Sequence, residues 1–108
     1  MNKSLHLESL RAAFEQGQIE WQRHCLQRMV ERGISRHDVI QVISQGERIA
    51  DYPEDRPLPS ALILGVIDRR PLHVVVALNS DLKKAFVITV YEPDLEHFEP
   101  DFKTRRKV

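Results

Sequence analysis

The sequence predicts an α+β fold, with three N-terminal helices packed on a three- to four-stranded antiparallel sheet, and three observations predict it. Apolar residues recur at helical spacing as far as Gly46 and at strand spacing after it. The C-terminal half holds three apolar, β-branched runs, at 61–67, 72–78 and 85–91. The chain between the second and third runs is too short to carry a crossover helix, so those two pair antiparallel.

Each element has a local reason. Ser4 caps a first helix over 4–16, Leu7, Leu10 and Phe14 form its apolar stripe, and Gly17 ends it. A second helix runs from about Trp21 to Arg32 and stops at Gly33, with Trp21, Cys25, Leu26, Met29 and Val30 on its core face. Ser35, followed three residues later by Asp38, is a capping box that starts a third helix. That helix buries Val39, Ile40, Val42 and Ile43 and ends at Gly46. A short strand follows at 48–52, and Pro53, Pro57 and Pro59 keep the next segment extended along the surface. The nearly all-apolar run 61–67 reads as a central strand, with a turn at 68–70 and a longer hairpin loop at 79–84.

Strict strand alternation puts Leu72, Val74, Val76 and Leu78 on one face and His73, Val75 and Ala77 on the other. In the next strand it sets Phe86, Ile88 and Val90 against Ala85, Val87, Thr89 and Tyr91, with the bulkier faces of both strands turned to one core. Two registers fit, one with His73 opposite Tyr91 and one with His73 opposite Thr89; both gather His73, Thr89 and Tyr91 on one face.

At 108 residues and 42% apolar composition the chain is one domain, 1–108, with a core of about 19–106 and a basic tail at 103–108. Sixteen basic residues balance sixteen acidic ones, so any polyanion site is a local patch and not a whole-protein field. Locally, Lys103, Arg105, Arg106 and Lys107 follow the acidic run Glu92, Asp94, Glu96, Glu99 and Asp101. The single cysteine, Cys25, excludes an internal disulfide and the usual structural zinc patterns, and no pair of histidines has metal-ligand spacing. No metal or cofactor is expected. The N-terminal residues carry charges every few positions and no run long enough for a signal peptide or membrane span, which points to a cytoplasmic protein without a membrane partner.

The chemistry-bearing residues fall into two groups. His24, Arg28 and Arg32 form an i, i+4, i+8 stripe along the edge of the second helix. Such arginines commonly snorkel or form ion pairs, so the stripe is a site only if it meets other groups. On the sheet, His73 beside the Thr89 and Tyr91 hydroxyls is either a pocket floor or a histidine satisfied by Tyr91. Cys25 lies on the apolar face of its helix and reads as an inert thiol.

Several blocks together resemble a known family. They are His24-x3-Arg28-Met29-x2-Arg32-Gly33-Ile34-Ser35, Gly46-Glu47-x-Ile49-x-Asp51-Tyr52, Pro57-x-Pro59-Ser60-x-Leu62-x-Leu64-Gly65, Arg70-Pro71-Leu72-His73-Val74-Val75 and Thr89-Val90-Tyr91-Glu92-Pro93-Asp94. Over residues 19–106 they resemble a family of small prokaryotic domains of unknown function, similar in fold to the RelE, BrnT and barnase-like group that includes ribonuclease toxins. The resemblance implies helices followed by a curved antiparallel sheet, and a toxin-like partner of a small zinc-finger antitoxin. It implies a site drawn from His24, Arg28, His73 and Tyr91, with Arg105 or Arg106 nearby. The function then expected is metal-independent endoribonuclease action on RNA, with Arg32, Thr89, Arg105 and Arg106 as substrate-binding residues. Histidines supply proton transfer near neutral pH and arginine supplies the phosphate clamp. The alternative is a non-catalytic protein-interaction or accessory domain.

Overall fold

The computed structural model describes residues 4–107. The chain runs α1 (Leu7–Glu15), β1 (Ile19–Trp21), α2 (Arg23–Arg32), α3 (Arg36–Gln45), β2 (Glu47–Tyr52), β3 (Ser60–Ile67), β4 (Arg70–Asn79) and β5 (Lys84–Tyr91). The strands form one five-stranded sheet in the order β1-β5-β4-β3-β2. The α+β class and the three helices match the sequence reading; the purely antiparallel sheet of three or four strands does not. Residues Ile19–Trp21 form a fifth strand that pairs parallel to β5. Three residues show no periodicity, and the parallel pairing is possible because most of the chain intervenes between the two strands.

Local signals set the helix ends. Ser35 Oγ accepts from the Asp38 amide and the Asp38 carboxylate accepts from the Ser35 amide, so the capping box forms as read; such a cap is worth about 1 kcal/mol. Gly33 ends α2 in the left-handed region, at φ 66°. Two predicted starts move: α1 is preceded by His6 with no side-chain cap, not by Ser4, and Trp21 closes β1 so that α2 begins at Arg23. The last carbonyls of α3 are satisfied from α1, where Arg11 donates to Ile43 O at 2.9 Å and to Gly46 O at 3.0 Å. Gly46 also permits the tight passage into β2, since a Cβ there would lie 2.3 Å from Val42 O and 2.5 Å from Leu64 O.

All three helices pack on one face of the sheet. Leu10 and Phe14, Cys25 and Met29, and Val39, Val42 and Ile43 join Ala61, Ile63, Leu72, Val74, Val76, Leu78, Ala85, Val87 and Val90 in one cluster. Two residues assigned to helix core faces are outside it. Val30 is 83% exposed and Ile40 38% exposed. In each helix the apolar stripe is narrower than the sequence implies: Cys25 and Met29 dock α2, and Val39, Val42 and Ile43 dock α3.

The strand faces differ from strict alternation at one point. His73 pairs with Tyr91, Val75 with Thr89, and then Val76 with Val87, leaving Ile88 as an extra residue on β5. This β-bulge rephases the strand. Val87 and Val90 face the main core, while Phe86, Thr89 and Tyr91 share the other face with His73 and Ala77. The expectation that Phe86 and Ile88 belong to the main core is therefore corrected, and of the two open registers the His73–Tyr91 one is observed. Asp68 and Arg69 both have positive φ, 51° and 68°, which makes the β3–β4 connection a two-residue type I′ turn.

The outer face of the sheet is covered in part. The segment after β5 folds back across it, burying Phe98, and Lys103 reaches Glu47 on edge strand β2 at 2.9 Å. The basic tail is thus largely pinned to the domain. The proline-rich segment is a turn, not an extended linker: the Asp55 amide donates to Tyr52 O, and Ser60 Oγ donates to Asp55 Oδ2 at 2.6 Å. Beneath these covers Ser60, Leu62, Leu64, His73, Ala77 and Phe98 are buried although they lie outside the main cluster. No helix among the described residues is long and apolar enough to cross a membrane.

Met29 and Val30 are neighbours in sequence with opposite environments. Met29→Asp should cost more than ~3 kcal/mol by burying an unpaired carboxylate, whereas Val30→Asp should change stability by less than ~0.5 kcal/mol. Urea melts of the two variants check the assignment of the α2 faces; Ile88→Asp should fall between them.

Candidate functional site

The outer face of the sheet gathers half of the sequence-predicted site. His73 is wholly buried in β4, and its two ring nitrogens are both engaged. Nε2 lies 2.8 Å from Phe102 O. A carbonyl only accepts, so Nε2 carries the hydrogen, and in the neutral ring Nδ1 is left to accept from the Tyr91 hydroxyl at 3.1 Å. Phe98 stacks edge-on against the imidazole, with centroids 4.8 Å apart. The cross-strand register explains the Tyr91 contact, and the returning C-terminal segment supplies the Phe102 carbonyl.

The electrostatics follow from this packing. Burial pushes the His73 pKa below the ordinary 6.5; the Phe102 bond partly opposes this, and the Arg105 guanidinium adds to it. Burial also raises the Tyr91 hydroxyl above 10, the nearby Tyr52 raises it further, and Arg105 pulls it down. Arg105 sits 5.4 Å over the Phe98 ring. Thr89, half-buried, is paired with Val75 on the same face. His73, Tyr91 and Arg105 therefore converge, and Thr89 lies on the same face of the sheet. Beside them, a cleft of about 230 Å³ has Ala77, Phe86 and Ile88 as its floor and Glu20, Gln22 and the turn Asp55–Leu58 as its walls.

The α2 candidates form a separate group. His24 and Arg28 are exposed and line a shallow depression with Gln27, Val30 and Glu31. Arg28 pairs with Glu31 at 3.2 Å. Arg32, further along the stripe, donates to Val90 O at 2.6 Å and so caps the unpaired end of β5. The helix is anchored through Cys25 and Met29 in the main core, on the opposite face of the sheet from His73. Among the described residues no hydrogen bond, ion pair or cavity lining joins His24 or Arg28 to His73 or Tyr91. Arg106 is spent internally, donating to Leu95 O at 2.6 Å and pairing with Glu99 at 3.1 Å.

Sequence reasoning missed Tyr52, Phe98 and Phe102. Phe98 stands as an apolar residue within the acidic run and Phe102 directly after it, which marks a segment that docks on something. Tyr52 has no local signal; the register through Ser60 and Ala77 puts it on the outer face. The C-terminal segment also brings Asp94, Glu96 and His97 together, with potential ligand atoms all within 4.8 Å, a grouping that histidine spacing alone did not suggest. All three are exposed, and His97 Nδ1 is already 2.8 Å from Asp94.

A family model described as "Domain of unknown function (DUF4258)" matches residues 21–92. No curated protein matches the chain. No solved structure matches it.

The depressed His73 pKa has a testable sign. The unfolded chain binds this proton near pH 6.5 and the folded one only at lower pH. The contribution is therefore complete above about 6.5 and is lost as pH falls through the lower folded value. Stability should fall between pH 7 and 5, with a slope of at most ~1.4 kcal/mol per pH unit. The fall comes before the Asp94 and Asp101 carboxylates, whose pKa values are lowered by hydrogen bonds from His97 and Thr104, begin to protonate. Urea midpoints of wild type and His73→Gln across this range check it; the slope should flatten in the variant.

Proposed function

The chain belongs to the DUF4258 family, by a match over residues 21–92, and from that premise and the outer-face geometry we propose that it is a metal-independent endoribonuclease of toxin-like kind. The observation that carries this reading is the relay from the Tyr91 hydroxyl through His73 to the Phe102 carbonyl, beside Arg105 on a partly open sheet face. A hydroxyl bonded to a neutral imidazole, itself held by a third group, is the arrangement of an activated oxygen. The resemblance to RelE, BrnT and barnase-like domains supports the same reading at the level of fold.

The proton balance closes without a metal. The ribose 2′-hydroxyl gives its proton to the Tyr91 oxygen as Tyr91 passes its own to His73 Nδ1. The 2′-oxygen attacks phosphorus, and Arg105 neutralises the non-bridging oxygens. The imidazolium, steadied by the Phe102 carbonyl, returns the proton through Tyr91 to the leaving 5′-oxygen. The products are a 2′,3′-cyclic phosphate and a 5′-hydroxyl. Burial keeps His73 neutral at neutral pH, which is the state the first step needs. Thr89 lies on the same face as a substrate hydrogen-bonding group. The partner that fits a toxin-like enzyme is a small protein encoded beside it, of the zinc-finger antitoxin kind, and the working compartment is the cytoplasm.

A second reading, a non-catalytic protein-interaction domain, is favoured by one observation: Val30 is 83% exposed at the surface of α2, with His24 and Arg28 around it.

The test is cleavage of RNA by purified protein in the presence of chelator, with product ends analysed. Cleavage should be unaffected by EDTA and should fall about 100-fold or more in Tyr91→Phe. It should decline on the acid side as His73 protonates. Arg105→Ala should lose rate with the melting temperature unchanged. Chelator-sensitive cleavage, or full activity in Tyr91→Phe, overturns the mechanism. Absence of cleavage of both free and ribosome-bound RNA selects the interaction reading.

A further inference from the structure

The cleft of about 230 Å³ on the outer face of the sheet has a chemistry of its own. Its floor is apolar: Ala77, Phe86 and Ile88. Ala77 stands opposite Phe86 in the register, and a small side chain facing a large one leaves room beside the phenyl ring. Ile88, the extra residue of the bulge, completes the floor. Phe86 and Ile88 are only half-buried, so both keep surface for a ligand.

The walls hold polar groups that the fold does not consume. The Arg56 and Gln22 side chains have no hydrogen-bond or ion-pair partner among the described residues. Glu20 is held on Oε1 by Lys84 Nζ at 3.1 Å, which leaves Oε2 free. Lys84 Nζ itself lies 5.7 Å from the centre of the Phe86 ring. Asp55 takes the Ser60 hydroxyl. The lining thus sets two carboxylates, Glu20 and Asp55, against the one guanidinium of Arg56, which disfavours a phosphate in the cleft. It suits a neutral, flat ligand that both accepts and donates hydrogen bonds at its edge. The volume is below the ~300 Å³ at which pockets for larger ligands begin, which limits the ligand to a single ring system. A nucleobase has these properties, and every base has a face that stacks on an aromatic ring.

The position favours a base that belongs to a strand. Ile88 and Tyr91 are three residues apart on β5, a distance of about 10 Å. Thr89 lies between them on the same face. A short stretch of extended single strand bridges that gap, with its base in the cleft and its phosphate toward Arg105.

We propose that this cleft is a base-binding subsite for single-stranded RNA. One unpaired base lies against Phe86. Arg56 and Gln22 donate to its acceptor atoms, and the free oxygen of Glu20 accepts from its N–H. The inference rests on the RNA-cleavage reading above and adds the group that positions the strand over Tyr91. Phe86 and Arg56 touch no reacting atom; they are substrate-binding residues.

Fluorescence anisotropy of a labelled single-stranded oligodeoxynucleotide tests it, because a strand without 2′-hydroxyls binds and is not cut. The wild type should bind it, and a strand of equal length and charge with abasic positions should bind about ten-fold or more weakly. Phe86→Leu keeps the apolar floor and removes the aromatic face; it should also lose about ten-fold or more, and Phe86→Trp should retain binding. Arg56→Gln should weaken the intact strand and leave the abasic one unchanged. Circular dichroism melts confirm that each variant is folded. The same variants in the RNA-cleavage assay separate the two readings. Base-dependent binding that Phe86→Leu and Arg56→Gln weaken, with no RNA cleaved, upholds the subsite and overturns the nuclease. Cleavage at the wild-type rate in both variants, with abasic and intact strands bound equally, overturns the subsite and leaves the nuclease standing. A wild type that binds neither strand at millimolar concentration also overturns the subsite.

Discussion

One extra residue in β5 sets the arrangement of the molecule. Without the bulge at Ile88, strict alternation would put Val87 and Tyr91 on the same face and Val90 on the other. With it, Val87 and Val90 both enter the main core opposite Val76 and Val74, and Phe86, Thr89 and Tyr91 all turn outward. The same residue that breaks the ladder also gives the sheet two usable faces. One is dry and packed by helices. The other carries aromatic rings, hydroxyls and the buried imidazole of His73.

That second face has its own small core, and His73 is its polar centre. A buried imidazole is costly unless both nitrogens are satisfied. Here one bond comes from the neighbouring strand and the other from a segment almost thirty residues later, so satisfying His73 also fixes where the C-terminal segment lies. Phe98 against the ring and Lys103 on Glu47 hold that segment on either side of Phe102. Stability and the proposed chemistry draw on the same group. The burial that keeps the ring neutral and able to accept a proton from Tyr91 also makes the fold sensitive to acid.

The charged residues tell a different story from the one their spacing suggests. Most of the acidic run is used at home: Glu92 with Arg70, Asp94 with His97, Glu99 with Arg106 and Asp101 with the Thr104 amide. Surface pairs of this kind contribute little stability singly. Their effect is positional, since they set a structured corner that presents Leu95. The α2 stripe is likewise divided among three tasks. Arg32 caps the open end of β5, Arg28 pairs within its helix, and His24 stays free at the surface.

The sequence by itself determined the α+β class, the three helices with their Ser35–Asp38 and Gly33 boundaries, the three long strands and the grouping of His73, Thr89 and Tyr91. These depend on period, capping and alternation, which act over a few residues. Only the tertiary structure decided the rest. β1 is three residues that become a strand only because β5 offers an edge. The bulge at Ile88 is invisible to a rule that assumes a constant period. Which residues of α2 are buried depends on where the sheet ends, and so Val30 faces water while Met29 does not. The cover over His73 comes from Phe98 and Phe102, whose partners lie across a sheet already formed. Contacts of long sequence separation have no local signature, because the physical demand they meet, satisfying a buried polar ring, exists only after the chain has folded.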